Sequence, residues 1–402
     1  MARYTRGIDL GQMKLNILQR FVLIGLVAFS AVSTDFYLPA IPQIVSDFSA
    51  SNSQGQLTLS VFMLGFGIGQ LFYGNLSDAY GRKPLLFVGL SVYFLASIAC
   101  VFANDIQSLI LARGIQGIGA AAGPVIARAI VADSYAKEDS VKVMAAIAST
   151  MALVPALAPV LGGVLLNWYS WHALFIGLAL FGALFLLSTR ALPETCKTIG
   201  RVTPKPFAVI EQFSACYSNP RFLGFTLCGS ALFAAMFTYI STTSFIIIEL
   251  LGISPVDFGY TFMAVAFGFI TGARTSSLLI KRWGTIKLLK LSQTIAFVAC
   301  ALLVPLVLIE KPHVAAVVFV FSMIFFAGGV CIPVAQMGAI AELPEAAGRA
   351  SAVYGFSQVS LAALFGFMVG LFYNDSLLPT AIGVLIAASL SYFGYRLVLR
   401  KT

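Results

Sequence analysis

Runs of about twenty apolar residues recur along the chain, separated by short polar connections. They occupy approximately 18–40, 56–75, 84–103, 107–131, 141–166, 171–190, 221–248, 257–280, 286–309, 314–341, 351–372 and 378–398. A membrane-crossing helix needs about 20 mostly apolar residues, so each run predicts one spanning helix. Six precede and six follow a polar connection at about 191–218. Several runs contain Gly and Pro, which membrane helices tolerate because neighbours re-satisfy the freed backbone groups. The expected fold is an all-α membrane protein of twelve spans. An N-terminal half covers 1–190, a linker 191–218 and a C-terminal half 219–402. The first run is long for a signal-peptide core and no small-residue cleavage site follows it, so it is expected to remain as the first span.

Composition excludes the soluble alternative. Of 402 residues, 59% are hydrophobic and 10% charged, against roughly 45–50% and 25% in soluble domains. The net charge of +9 does not point to nucleic acid, because the basic residues cluster between the runs. One alternate set of connections holds Arg3, Arg6, Lys14, Arg20, Arg82, Lys83, Lys137, Lys142, Arg190, Lys197, Arg201, Lys205 and Arg221. It continues with Lys281, Arg282, Lys287, Lys290, Arg349, Arg396, Arg400 and Lys401, making 21 of the 25 Lys and Arg. The other set has Lys311 alone, while Arg113, Arg128 and Arg274 fall inside runs. Lys and Arg collect on the cytoplasmic side, so both termini and the linker are expected there. The turns at Gly81-Arg82-Lys83 and Lys281-Arg282-Trp283-Gly284 lie about 203 residues apart at corresponding places in the two halves.

Six cysteines (Cys100, Cys196, Cys216, Cys228, Cys300, Cys331) form no CxxC pair and have no histidine at metal-ligand spacing. They read as small hydrophobes, and no metal or cofactor is expected.

Four segments carry candidate chemistry. After the second run stands Gly74-Asn-Leu-Ser-Asp78-Ala-Tyr-Gly81-Arg82-Lys83-Pro84. Gly81 permits unusual backbone angles, Pro84 suits a helix start, and Asp78 and Arg82 bring opposite charges within reach. This segment resembles the G-x-L-x-D-x-x-G-R-[RK] signature of the major facilitator superfamily. The resemblance implies that Asp78 and Arg82, with Gly74, Gly81 and Lys83, latch the two halves on the cytoplasmic side. Ala79 stands where that signature often has arginine.

In the first run, Asp35 within Thr34-Asp-Phe-Tyr37-Leu-Pro-Ala-Ile-Pro is either an aspartate wetted from outside or a titratable site in apolar surroundings. Its string resembles the Bcr/CflA branch of drug:proton antiporters. Arg113-Gly-Ile-Gln116-Gly117 in the fourth run resembles the R-x-x-Q-G motif of the superfamily. A buried arginine is costly unless it is paired or faces water, and snorkelling to the interface is the other reading. At 1.5 Å rise per residue, Asp35 and Arg113 lie ~8 Å and ~9 Å from the outer ends of their runs, a depth that permits a pair. Helix 1–helix 4 contact is what the resemblance implies. Pro155, Pro159, Gly162 and Gly163 in the fifth run resemble the exporter signature ending G-P-x-x-G-G, with Ala158 in place of its first glycine.

Elsewhere, Trp168, Tyr169, Trp171 and His172 read as an interfacial aromatic belt. Tyr239, Ser241, Thr242, Thr243, Gln336, Tyr354 and Gln358 are candidate cavity groups or interhelical hydrogen-bond partners. No P-loop, GxGxxG or HExxH occurs, so neither ATP-driven transport nor hydrolysis is expected.

The resemblance implies a monomeric, proton-coupled exporter of small lipophilic compounds in a bacterial inner membrane. Its partners are a small-molecule substrate, protons and the lipid bilayer. Asp35, Arg113, Gln116, Tyr37, Tyr239, Gln336 and Gln358 are the candidate coupling and cavity residues. The rival readings are a transporter of a nucleoside, sugar or siderophore, and a membrane-embedded enzyme or scaffold.

Overall fold

A computed structural model describes residues 15–135, 154–196 and 208–400, together with Ile199. Lys137, Lys142 and the beginning of the fifth predicted span lie outside these residues. No strand occurs among the described residues. The helices are α1 (Ile17–Val27 continuing, after a 47° bend, as Phe29–Asp47), α2 (Asn52–Tyr80), α3 (Arg82–Val101), α4 (Ile106–Ser134) and α5 (Val154–Trp168). They continue with α6 (His172–Ala191), α7 (Pro220–Leu250), α10 (Val314–Ala341), α11 (Pro344–Leu371) and α12 (Leu378–Leu399). The eighth and ninth predicted spans form one continuous helical run, Pro255–Val307, broken at Gly284 by a backbone angle φ of 71°. We number its two arms α8 (255–283) and α9 (285–307). Among the described residues this gives twelve apolar helical segments, one for each predicted run, besides a short helix Ala208–Tyr217 in the linker.

The helices overrun the apolar runs because their ends are capped by polar residues that hydropathy does not register. Ser51 and Gln54 form a reciprocal capping box that starts α2 at Asn52, four residues before the predicted run. Asp105 does the same for α4. Asn219 accepts the N–H groups of Arg221 and Phe222 while Pro220 occupies the first turn of α7.

Within the first half α2 and α3 pack on α4, and within the second α8 packs on α10 and α7 on α12. Small residues let these backbones touch: a Cβ on Gly117 would sit 2.1 Å from the Phe62 carbonyl of α2. The halves meet along α2 and α11, where Ser60 faces Gly366, Gln56 faces Gly370 and Gln70 faces Gly355.

Candidate functional site

Ser33 and Tyr37 stand one turn apart on α1 and share a side of it. Ser33 Oγ lies 2.7 Å from the Tyr93 hydroxyl of α3, and the Tyr37 hydroxyl 2.7 Å from Thr58 Oγ1 of α2. Against this side Arg113 of α4 is completely buried. Its Nη1 donates to the Ser33 carbonyl at 3.1 Å and to Gln116 Oε1 at 2.6 Å. Gln116 in turn donates to Ser97 Oγ of α3 at 2.8 Å. The guanidinium carbon lies 4.3 Å from the Phe62 ring centre, 4.7 Å from Tyr37 and 5.9 Å from Phe175, so ring faces supply much of the negative potential around it. Its Nε and Nη2 have no hydrogen-bond partner among the described residues. An arginine so enclosed does not snorkel.

Asp35 follows Ser33 by two residues, which turns it about 200° around the helix. It is 5% exposed, and its Oδ1 accepts a 3.0 Å hydrogen bond from Thr34. No ion pair joins it to Arg113 among the described residues, although equal depth permitted one. The link between α1 and α4 is instead the Ser33 carbonyl. Depth along a helix is legible in a sequence; rotation relative to a partner depends on how the two helices pack.

In the second half, Tyr239 of α7 is buried and stacks on Phe321 of α10 at 4.2 Å between ring centres, with Phe325 at 5.8 Å. Gln336 on α10 and Gln358 on α11 are half-buried. Ser241 and Thr242 bond back to the Thr238 carbonyl, and Thr242 also accepts from Thr380 of α12 at 3.1 Å. Thr242 is thus an interhelical partner. The Tyr354 hydroxyl donates to the Ile332 carbonyl of α10 at 3.3 Å. Trp171 departs from the belt reading: it is 1% exposed and donates to Asp47 Oδ2 at 2.8 Å, while Trp168 and Tyr169 are 76% and 64% exposed.

At the basic end, Gly81 adopts φ 101° between α2 and α3. Arg82 folds back to Asp78 at 2.5 Å, to Ser77 Oγ at 2.7 Å and across to Asp133 of α4 at 3.0 Å. Glu194, which the sequence reading passed over, caps α3 from beyond α6. Its carboxylate accepts the backbone N–H groups of Arg82, Lys83 and Cys196 at 3.0, 2.9 and 2.8 Å. Lys83 Nζ donates to the Arg190 and Leu192 carbonyls. The signal was an acid directly after Pro193 in an otherwise basic stretch. A Cβ on Gly81 would lie 2.8 Å from Glu194 Oε2, so glycine is required there by both the backbone angle and the carboxylate.

Replacing Arg82 with alanine removes three contacts at once and leaves Asp133, among the described residues, the Thr195 hydroxyl at 3.1 Å. Asp78 is 45% exposed, so that bond counts as a surface pair of about 0.5 kcal/mol. The bond to Asp133 is the more sheltered. Arg82→Ala should lower the melting temperature by several degrees and cut transport at least tenfold, and Asp78→Asn should cut transport with little loss of stability. Thermal unfolding and proteoliposome flux, measured side by side, check this. Unchanged flux in both variants removes the turn from the transport cycle.

At the opposite end the halves close on each other. A Cβ on Gly162 of α5 would meet the Phe36 carbonyl of α1 at 2.1 Å, and one on Gly163 the Pro255 carbonyl of α8 at 2.2 Å. A Cβ on Gly259 of α8 would lie 2.5 Å from the Val160 Cα and 3.1 Å from the Pro159 carbonyl carbon. The glycines of the exporter-like segment therefore let α5 wedge between α1 and α8. Asn52 of α2 adds a 3.1 Å bond to Asp375, beyond α11.

The profile of the Major Facilitator Superfamily matches residues 23–367. The chain is 31% identical over 382 residues to the uncharacterised MFS-type transporter YdgK of Bacillus subtilis, covering 92% of this chain and 94% of that protein. It is 28% identical to the bicyclomycin resistance protein homolog of Haemophilus influenzae, covering 86% of this chain and 87% of the relative. Among solved structures, the peptide transporter POT in complex with sulfate superposes with a TM-score of 0.76 at 16% identity, covering 94% of this chain and 93% of that one.

Proposed function

The chain belongs to the major facilitator superfamily, and from that premise we propose that it exports small lipophilic compounds in exchange for protons. It is a multi-pass membrane transporter of small molecules, built from two six-helix halves. In this reading it works as a monomer in a bacterial inner membrane, with both termini and the basic turns in the cytoplasm. The halves rock about a central site, opening alternately to either side.

The observation that carries the proposal is Asp35, a carboxyl buried within α1 whose side-chain hydrogen bond among the described residues comes from Thr34. Ionisable groups at such depth are costly and mark ion pathways. Asp35 takes a proton from outside and releases it inward when the halves switch. Arg113, held on the far side of α1 through Ser33, contributes a fixed positive potential. The kinship with a bicyclomycin resistance protein homolog supports drug export. The closure by Gly162, Gly163 and Gly259 supports a state shut on the outer side.

The test is substrate-induced proton movement in proteoliposomes, followed with a pH-sensitive dye and a panel of lipophilic drugs, nucleosides and sugars. Proton flux that accompanies drugs is expected. Proton flux with nucleosides or sugars alone would replace the export reading with a narrow solute carrier, and drug transport without proton flux would remove the coupling.

A further inference from the structure

The two basic turns are built alike but meet different surroundings. Gly81 turns the chain with φ 101° between α2 and α3, and Gly284 with φ 71° between α8 and α9. At the first turn the protein supplies its own anions: Arg82 meets Asp78 and Asp133, and the Glu194 carboxylate sits against Gly81. At the second turn the cations Lys281, Arg282, Lys287 and Lys290 are all exposed. None has a side-chain hydrogen bond or ion pair among the described residues. No Asp or Glu occurs anywhere between Asp257 and Glu310. Apart from the adjoining backbone, no described atom lies within 4 Å of where a Cβ on Gly284 would be.

The turn also sits where a membrane surface must be. It joins two apolar helices that both cross the bilayer, and it exposes Trp283 by 43%, Ile286 by 37% and Leu278 by 63%. Indole rings prefer the headgroup level. Clustered Lys and Arg just outside a span attract anionic headgroups, each by about 1 kcal/mol. Four such cations without an acid, beside an exposed indole and aliphatic side chains, match a ligand that is anionic at one end and apolar at the other.

We propose that the α8–α9 turn binds anionic phospholipid, with the headgroup phosphate lying beside Gly284 as the Glu194 carboxylate lies beside Gly81. Lys281 and Arg282 approach the phosphate from the end of α8, and Lys287 and Lys290 from the first turns of α9. The acyl chains lie along Leu278 and Ile286. The duplicated turn thus has an internal anion in one half and a lipid anion in the other. The inference is independent of the cargo and of proton coupling.

Trp283 provides the probe. In full-length protein carrying Trp168→Phe, tryptophan quenching is titrated with brominated phosphatidylglycerol and with brominated phosphatidylcholine. The anionic lipid should quench at a concentration lower by two to three orders of magnitude, about fivefold for each of the four cations. The paired variants Lys281→Gln/Arg282→Gln and Lys287→Gln/Lys290→Gln each keep two cations for membrane insertion. Each should weaken phosphatidylglycerol binding about fivefold per charge removed and leave phosphatidylcholine binding unchanged. Replacement of the three lysines by arginine should preserve the preference. Inorganic phosphate at millimolar concentration should not displace the lipid; if it does, the site is for free phosphate. Equal quenching by the two lipids, or glutamine pairs that keep the anionic preference, overturns the proposal.

Discussion

Asp35→Asn is expected to abolish accumulation against a gradient, a loss of at least a hundredfold in uphill flux, while downhill exchange persists. Asparagine is nearly isosteric with aspartate and can still accept from Thr34, so the local fold of α1 is retained. It cannot titrate. In an exchanger proton and substrate compete for the carrier, and by linkage each weakens the binding of the other. Substrate affinity in the unaltered protein should therefore fall as the pH is lowered, and in Asp35→Asn it should be flat across the same range. Binding titrations at several pH values, paired with dye-reported proton flux, measure both effects. Uphill transport with intact proton flux in the variant would remove Asp35 as the coupling group, and Glu249 near the outer end of α7 would be examined next. Since Asp35 and Arg113 are not ion-paired here, Arg113→Ala acts through a longer-range field and through loss of the Ser33 contact. Its effect on the pH profile should be smaller than that of Asp35→Asn.

Gly163→Leu should arrest the cycle by a different route. The Pro255 carbonyl occupies the place of any β-carbon, at 2.2 Å, and Val256 Cα stands at 3.2 Å behind it. Both neighbours are backbone and cannot rotate aside, so α5 and α8 must separate. Overpacking of this kind costs about 1–3 kcal/mol in a closed interface, and the molecule avoids the cost by staying open on that face. Transport should fall more than a hundredfold. A cysteine placed at Gln56, buried in the α2–α11 seam, should react at least ten times faster with an impermeant maleimide added from outside. Gly163→Ala, which needs a smaller displacement, should show an intermediate rate. Normal flux together with an unreactive position 56 would show that the α5–α8 contact does not close the transporter.

How much of this was legible beforehand depends on the range of the interaction involved. The spans were legible because the bilayer acts on each segment separately: twenty apolar residues must satisfy their own backbone groups, and helix is the local solution. Helix ends were less legible: α1 runs to Asp47 and α2 to Tyr80, beyond runs ending at 40 and 75, because polar residues such as the Ser51 cap extend a helix without raising its hydropathy. The Gly81–Arg82 turn was legible because both ends of the Asp78–Arg82 contact lie on neighbouring turns of chain. The chemical roles of distant residues were less so. Glu194 reaches the α3 N-terminus from 112 positions away, and nothing around Pro193 announces that destination. Trp171 has the composition of an interfacial residue but is buried because Asp47 lies beside it.

The sequence by itself determined the number of spans, the basic side and the identity of the buried charges, because those follow from what each stretch of chain can place in lipid. Only the tertiary structure decided which buried group faces which. Asp35 and Arg113 share a depth yet stand on opposite sides of α1, a choice set by close packing of α1, α2 and α4 around the Tyr37 and Phe62 rings. The contrast between the two glycine turns was likewise settled in three dimensions. Whether a turn of cations meets a carboxylate of its own chain depends on tertiary placement: Glu194 sits against Gly81, and no described carboxylate lies against Gly284.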